Sequence, residues 1–215
     1  MPWWRSDEYY SPSRWQGTAK LDGGGACINQ CIHTIDVLLW LAQASMGAEA
    51  DPTENPVEMV SAFTANRGHP EGLIEVEDTA VVSIRFKNGV LGQLLGSTAC
   101  HPGFQRRILV GGREGSVEIV GDDVETWKFA AAQQGDDAMA APKGGNGGGG
   151  GGAGDPLAGL DTGGFQRNIA AFIEAVRSGA GYLLPGSEMR KSVAVVEAIY
   201  ASAAANGAPT EVAPA

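Results

Sequence analysis

A run of three glycines followed at once by a helix is the feature that most constrains how this chain folds. Gly23–Gly25 precede a segment of helical apolar periodicity, which carries Asn29, His33 and Asp36 at spacings of four and three. At 3.6 residues per turn, these three side chains fall within about 60° of one another on the helix surface. An imidazole between an amide and a carboxylate suits proton transfer, so the segment predicts a largely buried helix with one proton-handling face.

Composition and charge narrow the class of protein. The 215 residues, 43% of them hydrophobic, are enough for one domain with a sizeable core. The formal net charge of −10 argues against nucleic acid as a partner, because phosphate binding needs a basic surface. The N-terminus lacks the apolar run of a signal peptide, and no stretch reaches the length of a membrane span. The three cysteines favour a reducing compartment over a disulfide framework, so we expect a soluble cytoplasmic protein.

The order of the predicted elements indicates an α+β domain. Thr79–Phe86 alternates in polarity, and Asn88-Gly89 predicts a two-residue hairpin turn because both residues accept positive φ. The other predicted strands are Val57–Ala65, Val90–Ala99, Gln105–Val110, Ser116–Val120, Glu125–Phe129 and a short one at Thr210–Val212. The predicted helices are Ala26–Ala44, Phe165–Ser178 and Gly186–Ala205. Consecutive hairpin-linked strands imply a mainly antiparallel sheet.

The chain divides by composition into four segments. Residues 1–22 are an extended aromatic arm, and residues 23–134 hold the first helix and a β-meander. Residues 135–163 are a glycine-rich insertion that we expect to be disordered, and residues 164–213 hold the closing helices and the short strand. No strand leads into the GxGxxG fingerprint of a dinucleotide fold, and the run Gly147–Gly152 lacks the ending of a phosphate loop.

Five motifs in one order resemble a known family. They are Tyr9–Thr18, Gly23–Asp36, Val76–Ala80, Gly111–Glu118 and Val195–Tyr200. Together they resemble the C-terminal domain of the Gfo/Idh/MocA family, the relatives of glucose–fructose oxidoreductase and inositol dehydrogenase. The likeness runs from about residue 3 to residue 212, apart from the glycine-rich insertion.

The resemblance implies an open, mainly antiparallel sheet with helices packed on one face, and a homo-oligomer formed through the other face. It also implies a two-domain, NAD(P)-dependent oxidoreductase acting on a secondary hydroxyl of a sugar, cyclitol or sugar nucleotide. In that family a Rossmann domain holds the NAD or NADP, with a lysine beside the nicotinamide. This chain looks like the substrate-binding half alone, with the Rossmann domain missing or on another chain, so we expect it to bind no dinucleotide tightly by itself.

The helix supplies the catalytic candidates. His33 is similar in position to the family's catalytic histidine, which takes the hydroxyl proton as hydride leaves; the alternative is a buried structural histidine. Asn29 stands where many members have an aspartate, so it would orient the imidazole ring or bind a substrate hydroxyl; the alternative is an amide that satisfies the helix start.

The substrate-binding candidates are Tyr10, Arg14, Trp15, Asp36 and His101. The aromatic side chains stack on sugar faces, and Arg14 suits a carboxylate or phosphate because its guanidinium binds both oxygens at once. The alternative for the arm is simple packing on a sheet edge. Asp36 would orient His33 or be structural, and His101 would border the pocket or be a solvated loop residue.

A metal site is not expected. Cys27, Cys31 and His33 look like ligands, but on a helix His33 lies about 160° beyond Cys31. Two functions remain open: the catalytic half of an oxidoreductase, inactive by itself, or a non-enzymatic oligomerisation or sugar-binding module derived from that domain. The retained His33 face favours the first, and the missing cofactor domain favours the second.

Overall fold

The computed structural model describes residues 1–47, 51–121, 123–140, 163–182, 184 and 186–214. Their helices are α1 (Ile32–Ser45), α2 (Asp136–Ala140), α3 (Gly163–Ser178) and α4 (Gly186–Ala204), with a 3₁₀ turn at Asp7–Tyr10 and a π-helical turn at Ala26–Cys31. The strands are β1 (Val57–Ala65), β2 (Thr79–Phe86), β3 (Leu91–Ser97), β4 (Arg107–Gly111), β5 (Gly115–Val120), β6 (Asp123–Phe129) and β7 (Thr210–Glu211). The predicted α+β class is confirmed.

The strands form two sheets among the described residues, where the sequence predicted one. The first sheet has the order β3-β2-β1-β7, and the second has the order β4-β5-β6 with antiparallel pairing. The short strand β7 pairs antiparallel with β1, placing Thr210 opposite Val60. Every pairing between consecutive strands was predictable from the hairpins, but the break between β3 and β4 was not marked by any residue pattern.

The hairpin between β2 and β3 differs from its prediction. Only Gly89 has a positive φ, at 83°, whereas Asn88 does not adopt the left-handed conformation. The amide of Gly89 donates to the Phe86 carbonyl at 2.9 Å, and the Phe86 amide donates to the Val90 carbonyl at 2.9 Å. The loop therefore needs one left-handed residue, and glycine supplies it without steric cost.

The described chain divides into two compact units. The first comprises Met1–Ala26, Asn66–Thr79 and Leu95–Gly159, and the second comprises Cys27–Ala65, Ala80–Leu94 and Leu160–Ala215. Residues 141–162, most of the predicted disordered insertion, lie outside the described residues, while its first part forms α2. The Trp127 indole donates to Asp136 at 2.8 Å, which fixes this short helix against β6.

The second unit is built on an apolar layer between α1, α4 and β1. Its fully buried side chains include Ile35, Val57, Val60, Val82, Val195, Val196 and Ile199. Ser202 of α4 is also buried: its hydroxyl donates to the Ala208 carbonyl at 2.7 Å and accepts from the Ala62 amide at 2.9 Å. Because both partners are backbone groups, this one side chain fixes the end of α4 on β1 and on the turn before β7.

The first unit is organised around the N-terminal arm. The Trp3 amide donates to the Ser97 carbonyl and the Arg5 amide to the Thr98 carbonyl, at 2.9 and 2.8 Å. The predicted extended arm therefore runs along the end of β3 and fixes where Tyr9 and Tyr10 lie. Within the described part of the chain, no helix is long and apolar enough to cross a membrane.

Candidate active site

His33 lies in the first turn of α1, directly after the π-helical turn. Its side chain is exposed, and no hydrogen bond or ion pair among the described residues occupies the ring. The alternative of a buried, satisfied histidine therefore does not hold. The helix was predicted to be largely buried, but it buries only Thr34, Ile35 and Leu39, and Trp40 is 70% exposed. The imidazole of His33 therefore lies on a partly packed helix, with its ring accessible to a ligand.

The turn before His33 winds differently from the expected α-helix. Ala26–Cys31 are π-helical, so the angle of 100° per residue applies to His33 and Asp36 within α1 but not to Asn29. Asn29 is half-buried, and its Oδ1 accepts from Nε2 of the buried Gln30 at 2.6 Å. This hydrogen bond fixes the orientation of the Asn29 amide. Single π turns within helices are frequent at functional sites.

Asp36 does not hold His33 in this structure. Its Oδ1 accepts from the Ser192 hydroxyl at 3.0 Å, which joins α1 to α4. Asp36 is nevertheless an exposed residue. The i, i+3 spacing would allow a hydrogen bond between His33 and Asp36. Asp36 instead bonds to Ser192 and so connects the two helices.

The triple glycine is explained by a close approach of two backbone segments within the first unit. The Gly25 amide donates to Oε2 of Glu77 and the Ala26 amide to the Glu77 carbonyl, each at 2.9 Å. A Cβ on Gly25 would lie 1.8 Å from that carbonyl oxygen, which no relaxation of a side chain could accommodate. Gly23 has a φ of 78°, where L side chains are strained. These glycines therefore position the start of the helix.

Tyr10 is buried in the arm. It is 7% exposed, and its hydroxyl donates to Oγ1 of Thr98 at 3.0 Å. Burial raises the pKa of Tyr10 to about 12, because the phenolate would be desolvated. The ring also makes an edge contact with His69 at 4.9 Å. These contacts fix Tyr10 within the first unit, and its ring is not presented to solvent.

Arg14 and Trp15 are exposed, unlike Tyr10. Trp15 is 50% exposed, and the guanidinium carbon of Arg14 lies 5.8 Å from the centre of the Tyr9 ring. Arg5 is 2% exposed and places its own guanidinium carbon 5.5 Å from the same ring. The arm therefore carries two guanidinium groups on one phenol ring, one buried and one accessible.

His101 follows β3 on an exposed loop. Its ring contacts the edge of Trp4, with the centroids 5.2 Å apart. The position fits either alternative for His101, a residue bordering a pocket or a solvated loop residue, so its substrate role stays a prediction.

The remaining histidine, His69, was not singled out from the sequence, but it has more contacts than His33 or His101. Its side chain is completely buried, and Nδ1 lies 3.2 Å from Oδ1 of Asp7. It stacks on Trp4 with a centroid distance of 5.9 Å, and Nε2 has no hydrogen-bond partner. His69 thereby ties the loop after β1 to the arm. In the sequence, the only indication of this cluster was that residues 3–10 are rich in aromatic and acidic residues. That composition does not predict which residue contacts His69.

Asp78, the other acidic residue of the Glu77-Asp78 pair, stabilises the loop that carries His69. Its buried Oδ2 accepts from the Arg67 and Gly68 amides at 2.9 and 2.7 Å. A Cβ on Gly68 would lie 2.1 Å from the Cβ of Ala99, so this position also requires glycine. Both acidic residues of the motif thus bind backbone amides and have a structural role.

The predicted site residues fall in both units. Asn29, His33 and Asp36 belong to the second unit, and Tyr10, Arg14, Trp15 and His101 belong to the first. Cys27 and Cys31 are buried and form no disulfide, and the described residues contain no group of three or more His, Cys, Asp or Glu side chains placed to hold a metal.

The chain is an α+β protein with an N-terminal aromatic arm, and His33 is exposed in the first turn of α1. The model of the GFO/IDH/MocA C-terminal domain matches residues 1–118, more than half of the chain. The chain belongs to this family.

Solved structures of the family match almost the whole chain. One is the WlbA dehydrogenase from Bordetella pertussis in complex with NADH and UDP-GlcNAcA, with a TM-score of 0.71 and 26% identity over 98% of this chain and 52% of that one. Another is levoglucosan dehydrogenase in complex with NADH and levoglucosan, with a TM-score of 0.69 and 20% identity over 98% and 56%. At 20% identity, the similarity to levoglucosan dehydrogenase shows a shared fold and nothing about function. The chain spans about half the length of these structures, and no curated protein matches it.

Proposed function

We propose that this chain is the substrate-binding and catalytic half of an NAD(P)-dependent oxidoreductase that acts on a secondary hydroxyl of a sugar, cyclitol or sugar nucleotide. The observation that carries the proposal is the exposed imidazole of His33, in the first turn of a helix that buries Thr34, Ile35 and Leu39 in the core. Family membership supports it, as do relatives solved with NADH and a sugar or sugar nucleotide.

His33 is proposed as the general base. Oxidation of a secondary alcohol removes the hydroxyl proton as hydride leaves the carbon, and imidazole accepts that proton near physiological pH. Asn29 is proposed to contact a substrate hydroxyl, because its amide is oriented by Gln30 and remains half-exposed. A neutral amide cannot stabilise an imidazolium as a carboxylate would, so Asn29 positions and His33 transfers the proton.

The residues described do not fit a dinucleotide. The pairs β1–β7, β4–β5 and β5–β6 are antiparallel, and no βαβ unit with a glycine-rich turn is present among the described residues. The amides of Gly25 and Ala26 already donate to Glu77. NAD or NADP is therefore proposed to be held by a Rossmann domain outside the described residues, and only the proton step is assigned to this chain.

Three further proposals concern the substrate contacts, the oligomer and the location of the protein. Arg14, Trp15, Asp36 and His101 are proposed as substrate contacts, whereas Tyr10, whose ring is buried, is proposed to support the arm that carries Arg14 and Trp15. The open face of the first sheet is proposed to form a homo-oligomer, because it exposes Phe63, Val81 and Leu91. We propose a cytoplasmic location, since the chain is acidic and its cysteines are free thiols.

The proposed catalytic role of His33 is tested by substituting this residue and measuring turnover. The reading frame upstream of Met1 is searched for a βαβ unit with GxGxxG, and the encoded domain is joined to this chain or mixed with it. NADH formation is then followed with UDP-GlcNAcA and levoglucosan. His33→Ala is expected to lower kcat by about 10²–10⁴-fold with little change in KM, because the loss falls on proton transfer.

The control is Ala44→Ser, at an exposed position in the last turn of the same helix, which should leave kcat unchanged. Equal turnover for His33→Ala and the wild type would remove His33 from the reaction. Sugar binding without any NADH formation, in an enzyme shown to bind NAD, would favour the non-enzymatic module.

A further inference from the structure

A groove within the second unit lies between α1 and the first turns of α4. The side chains that line it include Asp36, Trp40, Gln43, Glu188, Met189 and Lys191. Trp40 is 70% exposed and Met189 is 58% exposed, so a large apolar side chain of each helix borders the opening. The cavity of about 180 Å³ is smaller than the roughly 300 Å³ of sites for drug-sized molecules, and it suits one small ring.

The groove lies on the same side of α1 as His33. Trp40 follows His33 by seven residues, or two helical turns. The two side chains therefore lie within about 20° of each other around the helix axis and about 10 Å apart along it. Asp36 lies between them along the axis, about one turn from each. A ligand that places a hydroxyl at His33 and continues along α1 reaches Trp40 with a second ring.

Two hydrogen-bond acceptors line the groove, Asp36 one turn before Trp40 and Gln43 one turn after it. Nε2 of Gln43 donates to the Asp51 carbonyl at 3.3 Å, whereas its Oε1 is buried and has no hydrogen-bond partner within the described part of the chain. Asp36 accepts from the Ser192 hydroxyl, and a carboxylate has about four acceptor sites. Both groups can therefore accept from a ligand that lies on Trp40.

The cation in the groove does not attract an anionic ligand. The ammonium group of Lys191 pairs with Oε1 of Glu188 at 2.6 Å and donates to the Pro52 carbonyl, and Lys191 is 3% exposed. Of the described side chains that line the groove, the charged ones are this pair and Asp36, so a carboxylate or phosphate would meet a negative charge. Neutral hydroxyl groups, which donate hydrogen bonds, suit the groove better.

We propose that this groove binds a second sugar ring of the substrate, so that the substrate is a disaccharide or longer glycoside whose first ring is oxidised at His33. The apolar face of the second ring stacks on the exposed indole of Trp40, and its hydroxyls donate to Asp36 and to Oε1 of Gln43. This rests on the proposed function in taking the first ring to be the one that is oxidised. Binding of the second ring in the groove does not depend on the redox step.

Binding is measured with the full 215-residue chain, without any cofactor. Glucose, maltose and cellobiose are titrated by calorimetry, and the two disaccharides present the second ring in different linkages. At least one disaccharide is expected to bind about 10- to 100-fold more tightly than glucose, through a stacking contact and one or two hydrogen bonds. Trp40→Ala should remove this preference, and Trp40→Phe, which keeps a smaller aromatic face, should retain part of it.

Gln43→Leu should lower the affinity for the disaccharide about 3- to 10-fold and leave that for glucose unchanged, because it removes the acceptor and keeps a side chain of similar size. Phe165→Ala is the matched control, since Phe165 is 63% exposed on α3 of the same unit and does not line the groove. Circular dichroism shows that each variant is folded. Equal affinity for the three sugars, no effect of Trp40→Ala, an equal effect of Phe165→Ala, or no binding by the folded chain would each overturn the proposal.

The complete enzyme separates this proposal from the proposed oxidation. Trp40→Ala should raise KM for the disaccharide with little change in kcat, whereas His33→Ala should lower kcat. An unchanged KM for Trp40→Ala would mean that the other half of the enzyme covers the groove, and would overturn the proposal. Disaccharide binding through Trp40 without NADH formation would support the sugar site in the groove and refute the proposed oxidation alone.

Discussion

At the scale of single residues, Gly25 is the position that tolerates least change. Gly25→Ala places a methyl group against the Glu77 carbonyl, and the backbone must move to admit it. We expect a loss of about 1–3 kcal/mol in the free energy of unfolding, as for overpacked sites in general. Urea denaturation followed by circular dichroism measures it. Gly164→Ala, where a Cβ meets open space in α3, is the control and should cost nothing.

Tyr10 gives the chain a predictable response to alkaline pH. The pKa of Tyr10 is raised from 10.0 to about 12 by burial, so the folded state keeps the proton that the unfolded state loses. The stabilising contribution is complete below pH 10.0 and is lost as the pH rises toward 12. Two pKa units correspond to about 3 kcal/mol.

Urea unfolding between neutral pH and the alkaline range tests this dependence. Tyr10→Phe should lose about 1 kcal/mol at neutral pH with the Thr98 hydrogen bond, but should show a shallower alkaline decline than the wild type. Tyr182→Phe, in the other unit, is the matched control and should keep the wild-type decline. Parallel pH curves for Tyr10→Phe and the wild type would contradict the prediction.

The residues that could be predicted are those whose signal is local. His33 and Arg14 were picked out by their spacing and motif, and both prove to be exposed. His69 was not, because its partner Asp7 lies 62 positions away and neither residue sits in a periodic pattern. The triple glycine was singled out, but the reason that Gly25 must be glycine, the Glu77 carbonyl, lies 52 positions away.

At the scale of elements, the contact between Asp36 and Ser192 joins α1 to α4. Ser192→Ala removes the donor of a hydrogen bond to a charged group, and we expect a loss of about 1.5–3 kcal/mol in the free energy of unfolding. Asp36→Asn should cost less, because the amide oxygen still accepts. A double-mutant cycle with Asp36→Ala measures the coupling energy. Additive losses would show that the two side chains act independently.

Many boundaries of helices and strands could be predicted from patterns in the sequence. Thr79–Phe86 and Val57–Ala65 were predicted as observed, since alternating polarity and flanking turns mark both ends. The π turn at Ala26–Cys31 was not predicted, because its residues have the pattern of an ordinary helix start. The break of the strands into two sheets likewise depends on packing, not on local propensity.

At the scale of the whole molecule, the sequence predicted the apolar faces but not what covers them. The periodicity of α3 places five apolar residues along one side, yet the structure exposes all of them: Phe165, Ile169, Phe172, Ile173 and Val176. Apolar periodicity predicts that a helix has an apolar face. It does not predict which element, if any, packs on that face and buries it. The same holds for the open face of the first sheet.

The whole chain is also expected to bind no NADH at micromolar concentration. A dinucleotide pyrophosphate needs free amides at a helix start after a glycine-rich turn, and the amides of Gly25 and Ala26 are already committed to Glu77. The net charge of −10 adds repulsion toward the phosphates. Calorimetric titration of NADH into the chain measures this, with the chain joined to its dinucleotide-binding domain as the positive control. Saturable micromolar binding by the chain alone would place a cofactor site within these residues and contradict the assignment of the cofactor to another domain.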